Sequence, residues 1–118
     1  GFGLAGHLRE VCEGSGVHAV INFNKLPVLP HVMEYLSQGC SPGGASRNYE
    51  SYGQLLSNIT NEQQSILCDP QTSGGLLVAV DTDSENEFLA IIEAEGLYLE
   101  SIGYLCDKSD QAMIQIND

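Results

Sequence analysis

Residues 69 to 80 read Asp-Pro-Gln-Thr-Ser-Gly-Gly-Leu-Leu-Val-Ala-Val, a polar, turn-forming segment that leads directly into an apolar run. A short continuous apolar run that is bounded by turn residues is typical of a strand buried on both faces. The sequence therefore predicts a central strand over 76–80, preceded by a tight polar loop.

The polar loop in front of this strand is the first candidate binding site. Glycine has no β-carbon, so the backbone N–H groups of Gly74 and Gly75 can approach an oxyanion closely. The hydroxyls of Thr72 and Ser73 offer further donors. Such a loop can hold phosphate without net positive charge. The alternative is a tight turn in which Asp69 and Thr72 satisfy local backbone groups.

A second candidate lies within residues 40–58, where the hydrophobic periodicity weakens and turn formers predict a loop. Here Gly43 and Gly44 precede Arg47 and Asn48, and the whole chain has only 4 Lys and Arg residues. A guanidinium can hold a phosphate through two hydrogen bonds, which makes this loop a second phosphate candidate. The alternative is a surface loop with a solvated arginine.

Helices are predicted from apolar residues at helical spacing and from end signals. Two are expected over 3–13 and 31–38. Asn61 followed by Gln64 predicts a capping box for a short helix through Leu67, and Ser84 followed by Glu87 predicts another for a helix that Gly96 closes.

Strands are predicted at three further places. The β-branched segment 17–23 is one, and residues 97–106 and 112–116 are expected to pair as a hairpin around 107–110. Helices and strands in this order imply an α+β domain, a mixed β-sheet with helices packed on it.

Composition limits the classes of function. The 118 residues are 42% hydrophobic, which suits a single domain over 1–118, and the formal net charge is −12. This charge disfavours nucleic acid and anionic membrane surfaces as partners, so an anionic ligand must be held locally. No apolar run approaches the roughly 18 residues that a membrane span needs, and no signal peptide pattern is present, so we expect a cytoplasmic location.

The cysteines and the first residue add two expectations. The four cysteines show no metal-ligand spacing, so no zinc site is predicted and the thiols are expected to be reduced. The chain starts at Gly1 rather than at Met, and we expect it to be a fragment of a longer protein.

Three segments together resemble one family. They are Gly-Phe-Gly-Leu-Ala-Gly-His-Leu at 1–8, Pro-Gly-Gly at 42–44 with Arg-Asn at 47–48, and Cys-Asp-Pro-Gln-Thr-Ser-Gly-Gly-Leu-Leu at 68–77. In order and spacing they closely resemble the C-terminal domain of bacterial selenophosphate synthetase, also called selenide, water dikinase, in the aminoimidazole ribonucleotide synthetase superfamily.

The resemblance implies an ATP-dependent, magnesium-requiring enzyme that converts selenide, ATP and water to selenophosphate, AMP and phosphate for selenocysteine biosynthesis. In that family the reactive Cys or selenocysteine, a nearby Lys and the metal-binding aspartates lie in or before the N-terminal domain. No catalytic or metal-binding residue is therefore expected within 1–118, and the fragment alone is expected to hold neither ATP nor Mg²⁺ and to be inactive. The resemblance thus implies that 1–118 is the C-terminal fragment of a two-domain enzyme. The implied partners are that N-terminal catalytic domain of the same chain and a second copy in a homodimer.

The residues that match the family motifs are expected to face the cleft between the two domains, where phosphate groups are handled. These phosphate and substrate-cleft candidates are Gly43, Gly44, Arg47, Asn48, Thr72, Ser73, Gly74 and Gly75. The alternatives are another ATP-dependent member of the superfamily, a non-catalytic module that binds a small anion, and a purely structural domain in which both glycine-bearing segments serve as turns.

Overall fold

The central strand of the sheet is β1 (His18–Asn22), which is buried along its middle. The computed structural model describes the whole chain, residues 1–118. β2 (Gly103–Cys106) pairs antiparallel with one edge of β1, and β3 (Ile114–Asn117) pairs parallel with the other edge. The result is a mixed three-stranded sheet in the order β2-β1-β3.

Five α-helices accompany this sheet, and they are α1 (Gly3–Ser15), α2 (Val32–Ser37), α3 (Gly43–Tyr52), α4 (Asn61–Leu67) and α5 (Glu85–Ala94). Helices and a mixed sheet confirm the predicted α+β class. No helix combines the length and apolar character that a membrane crossing requires.

The hydrophobic core lies between α1, α3, α4 and the sheet. Its buried members are Ala5, Leu8, Cys12, Ala19, Ile21, Ala45, Tyr52, Leu56, Leu67, Cys68 and Ile114. α5 contributes no buried residue. The core therefore fixes α3 and α4, which carry or adjoin both candidate segments, more firmly than the region that follows them.

The prediction of a central strand over 76–80 is wrong. None of these residues belongs to a strand or makes a backbone hydrogen bond to one, and Leu76 is 93% exposed. An apolar sequence favours an extended backbone, but a strand also needs a partner edge. Both edges of β1 are occupied by β2 and β3, so the central position belongs to β1 instead.

The prediction of a loop over 40–58 is also wrong in its middle part, because α3 occupies Gly43–Tyr52. Pro42 is the N-cap residue and has an extended backbone, which suits the residue before a helix. Ala45, Tyr49 and Tyr52 follow at helical spacing and face the core. Tertiary packing of this face outweighs the weak helix propensity of the glycines.

The predicted hairpin around 107–110 does not form, since β2 and β3 do not pair with each other. β1 lies between them, and its fully buried middle requires a neighbour on each side. The connecting residues Asp107-Lys108-Ser109-Asp110 contain no glycine to favour a two-residue hairpin turn.

Helix ends follow the predictions only in part. α4 has its capping box one residue earlier than predicted: Thr60 Oγ1 accepts a hydrogen bond from the Gln63 N–H at 3.1 Å, and Gln63 Oε1 accepts one from the Thr60 N–H at 2.9 Å. The Ser84 side chain makes no capping hydrogen bond, because a 3₁₀ turn over Thr82–Ser84 leads into α5. Gly96 has φ +83°, as its predicted role of closing this helix requires.

Candidate functional site

The candidate segment that contains Gly43, Gly44 and Arg47 forms the N-terminal turn of a helix. Gly43 and Gly44 are the first two residues of α3, and the N–H groups at such an end have no acceptor inside the helix. Gly43 is exposed, and Gly44 is half-buried. The structure therefore presents free backbone donors here, although on a helix rather than on the loop that the sequence predicted.

Arg47 lies one turn further along α3 and bends back over this end. A β-carbon built on Gly43 would lie 3.5 Å from Arg47 Nη1, and one built on Gly44 would lie 3.7 Å from Nη2. Arg47 is exposed and forms neither an ion pair nor a side-chain hydrogen bond. Its guanidinium is thus a free positive charge beside free N–H donors.

The other candidate segment, the loop Gln71–Gly75, is exposed throughout, with a bend at Thr72 and Ser73. The Gln71 side chain folds over the turn, and its Oε1 lies 2.9 Å from the position of a β-carbon on Gly74. Neither Gly74 nor Gly75 has a positive φ. The Gln71 N–H donates to the Asp69 carbonyl at 2.9 Å, and the exposed hydroxyls of Thr72 and Ser73 make no hydrogen bond within the chain.

The two segments meet where the second one begins. A β-carbon on Gly44 would lie 2.7 Å from Pro70 Cγ, so the helix backbone touches the proline ring. Asn48 Nδ2 donates to the Cys68 carbonyl at 2.9 Å. No hydrogen bond joins Arg47 to the residues of the loop itself. The first turns of α3 thus anchor the chain just before the exposed loop.

Asn48 also reaches the N-terminal segment, because the same amide nitrogen donates to the Gly1 carbonyl at 2.8 Å. One turn along α3, Tyr52 Oη donates to the Phe2 carbonyl at 2.5 Å. Tyr52 carried no functional signal in the sequence. Its i+4 spacing from Asn48 gains meaning only once the segment is known to be helical.

Burial shapes the acid–base behaviour of this region. Burial, and next a hydrogen bond with the Cys68 side chain, raise the pKa of Tyr52 well above its ordinary value. Burial also raises the pKa of the Cys68 thiol, and the hydrogen bond with Tyr52 opposes that rise. Both groups are therefore neutral near pH 7, and neither acts as a charged group in this region.

Two shallow cavities lie away from these residues. The larger, of about 510 Å³, lies between Asn24, Asn58, Thr60, Gln63 and Ile116, and the other, of about 430 Å³, lies along the end of α5. Neither is lined by any of the eight candidate residues. No cluster of three or more His, Cys, Asp or Glu side chains that could hold a metal ion occurs in the structure.

The fold and the contact between Gly44 at the N-terminus of α3 and Pro70 define the class: an α+β domain that presents backbone donors and Arg47 on its surface. The chain belongs to the family described as AIR synthase related protein, C-terminal domain, which matches residues 1–115. This membership confirms the resemblance that the three sequence segments carry.

Curated relatives agree with it. The chain is 49% identical over 119 residues to "Selenide, water dikinase" of Photorhabdus laumondii, which covers 100% of the chain and 34% of the relative. It is 54% identical over 116 residues to the protein of the same name from Aeromonas hydrophila, covering 98% of the chain and 34% of the relative. The corresponding Yersinia pseudotuberculosis protein is 50% identical over 117 residues, with 98% and 34% covered. The chain thus spans about a third of the length of these relatives.

Proposed function

We propose that the chain is the C-terminal part of a selenophosphate synthetase, which makes selenophosphate from selenide, ATP and water and releases AMP and phosphate. The single observation that carries this proposal is the identity of about 50% to proteins named selenide, water dikinase along nearly the whole chain. The cytoplasm is the proposed location, and a homodimer is the proposed assembly of the full-length enzyme.

Within that enzyme, this chain forms one wall of the phosphoryl-transfer cleft. Phosphoryl transfer depends mainly on positioning and on neutralising the charge of the phosphate oxygens. Arg47 and the free N–H groups of Gly43 and Gly44 suit this task, because they place one unpaired cation beside backbone donors. Thr72 and Ser73 add exposed hydroxyls from the loop whose start is held against α3.

ATP and Mg²⁺ differ in how they fit this chain. The arginine and the N–H groups fit the phosphates of ATP, whose transferable phosphoryl groups supply the chemistry of the reaction. A magnesium site does not fit, because the acidic side chains form no cluster with the oxygen ligands that this ion prefers. In this proposal the metal ligands and the selenium-reactive residue therefore belong to an N-terminal catalytic domain of the same chain.

The test is an assay of a longer protein that ends with this chain. Incubated with selenide, ATP and Mg²⁺, it is expected to form AMP and a selenophosphate signal in ³¹P NMR, both dependent on selenide. The purified 118-residue chain is the matched control and is expected to form neither product. Formation of AMP without dependence on selenide would instead favour another ATP-dependent member of the superfamily.

A further inference from the structure

Three hydrogen bonds from helix α3 hold the beginning of the chain and the segment just before the exposed loop. Asn48 Nδ2 donates to the carbonyls of Gly1 and Cys68, at 2.8 Å and 2.9 Å, and Tyr52 Oη donates to the carbonyl of Phe2 at 2.5 Å. We call these residues, Gly1–Gly3 with Asn48, Tyr52 and Cys68, the N-terminal joint. One primary amide therefore links two backbone segments that are distant in sequence, and both are held by helix α3.

The N-terminal joint is tightly packed. Gly3 has φ +81°, and a β-carbon there would lie 2.8 Å from the Cys68 carbonyl carbon and 2.9 Å from the Leu67 carbonyl oxygen. A side chain at this position would meet backbone, which cannot move aside easily. Tyr52 is 2% exposed and Cys68 is fully buried. Such packing leaves the two segments little freedom to shift relative to each other.

We infer that Asn48 and Tyr52 are positioning residues that set the placement of the chain before Gly1 relative to the loop Gln71–Gly75. This inference rests on the proposed function, in which the preceding part of the protein holds the reacting groups. Its path into this domain is fixed at Gly1 and Phe2, while Cys68 and Pro70 fix the point where the loop begins. α3, which also carries Arg47, is the common support.

The expected effect on the reaction follows from the need for alignment. A shift of about 1 Å in a group that positions a substrate can lower a rate by about a hundredfold. Loss of the amide or phenol donors is therefore expected to lower kcat about tenfold to a hundredfold. KM for ATP should change less, since Arg47 and the free N–H groups remain in place.

The donor role and a plain packing role predict opposite orders for two variants. Asn48→Asp keeps the size of the side chain but replaces an N–H donor by a carboxylate that faces two carbonyl oxygens. Asn48→Ala removes the side chain and leaves a cavity. If hydrogen-bond donation matters, Asn48→Asp lowers kcat at least as much as Asn48→Ala. If only packing matters, Asn48→Ala is the more damaging change.

Tyr52→Phe provides a second variant that keeps the aromatic ring and removes one hydroxyl, in case the Asn48 variants do not fold. Asn86→Ala on α5 is the matched control, because Asn86 is exposed and makes no side-chain hydrogen bond. Kinetics of the full-length enzyme are measured together with amide hydrogen exchange of peptides that cover residues 1–4 and 66–70. Relative to the unmodified enzyme, we expect faster exchange in both peptides for the variants at Asn48 and Tyr52. We expect an unchanged exchange rate for Asn86→Ala.

Two outcomes separate this inference from the proposed function. If the unmodified enzyme makes no selenophosphate, the proposed function fails, and the exchange data still test whether Asn48 and Tyr52 couple the two segments. If that enzyme is active and both Asn48→Asp and Tyr52→Phe keep kcat within about twofold, the positioning role is overturned. A larger decrease in kcat for Asn48→Ala than for Asn48→Asp overturns the positioning role as well.

Discussion

Gly44 of helix α3 lies directly against Pro70, so closely that a β-carbon on Gly44 would stand 2.7 Å from the proline Cγ. This contact joins the two segments that the sequence marks as phosphate candidates. It depends on glycine at the second position of the helix, because any side chain there would push the proline ring away. The glycine therefore serves a close approach between helix and loop.

Gly44→Ala is expected to destabilise the protein by about 1–3 kcal/mol, since the added methyl group overlaps a rigid ring. Gly43→Ala is the matched control, because a β-carbon there meets only the flexible end of Arg47, at 3.5 Å. That control should be neutral or up to about 1 kcal/mol stabilising through helix propensity. Urea unfolding measures both, and equal stabilities for the two variants would contradict the Gly44–Pro70 contact.

In the full-length selenophosphate synthetase that we propose, Arg47→Ala is expected to slow selenophosphate formation about ten- to a hundredfold. The variant loses the proposed charge-assisted hydrogen bond from Arg47 to a phosphate oxygen, worth roughly 1.5–3 kcal/mol. The unfolding midpoint should barely change, because Arg47 is exposed and has no ion-pair partner. Arg9→Ala on α1, which removes an exposed pair with Glu13 at 3.0 Å, is the control and should leave the rate unchanged. Intact turnover in Arg47→Ala would favour the structural-turn alternative.

Leu67→Ala and Leu76→Ala test where the core ends. Leu67 is 1% exposed, and truncation there is expected to cost about 2–5 kcal/mol through lost burial and a cavity. Leu76 is 93% exposed, so the same truncation should change the free energy of unfolding by less than about 0.5 kcal/mol. A large loss of stability in Leu76→Ala would show that the segment after the loop is packed in solution.

Stability is expected to fall at alkaline pH because of Tyr52 and Cys68. Burial raises the pKa of both groups above their ordinary values of 10.0 and 9.0, so the folded state holds these protons more tightly than the unfolded state. The stabilisation is complete below about pH 9 and is lost as the pH rises further, by up to about 1.4 kcal/mol per pH unit for each group.

Urea unfolding between pH 8 and pH 11 measures this loss. Tyr52→Phe should show a shallower decline above pH 10, because its contribution to the proton difference is gone. Tyr98→Phe is the control, since Tyr98 is 79% exposed, and its decline should match that of the unmodified protein. Parallel curves for all three proteins would contradict the proton linkage at Tyr52.

Local signals predicted several elements well. The apolar spacing of Leu4, Leu8 and Cys12 is sufficient for α1. The apolar residues that precede the closing Gly96 are sufficient for α5, although the predicted capping box at Ser84 does not form. These features act within one or two turns of the chain, so the sequence alone carries them. The long motifs at residues 1–8, 42–48 and 68–77 likewise identified the family without any structure.

Long-range contacts decided the rest. The local sequence of residues 43–52 predicts a loop, but burial of Ala45 and Tyr52 in the core favours a helix there. The local sequence of residues 76–80 predicts a central strand, but β2 and β3 already occupy both edges of β1. The hydrogen bonds from Asn48 to Gly1 and Cys68 have no local signature, because their partners lie far away along the chain.

The sequence by itself therefore determined the family, the α+β class and the chemical identity of the candidate residues, since these depend on residue type and on short-range spacing. Only the tertiary structure decided that Gly43, Gly44 and Arg47 share a helix end. It also decided that this helix end anchors the chain just before the loop Gln71–Gly75. The physical reason is that pairing at sheet edges and packing in the core depend on contacts between segments that are distant in sequence. No local sequence pattern specifies which of these segments come together.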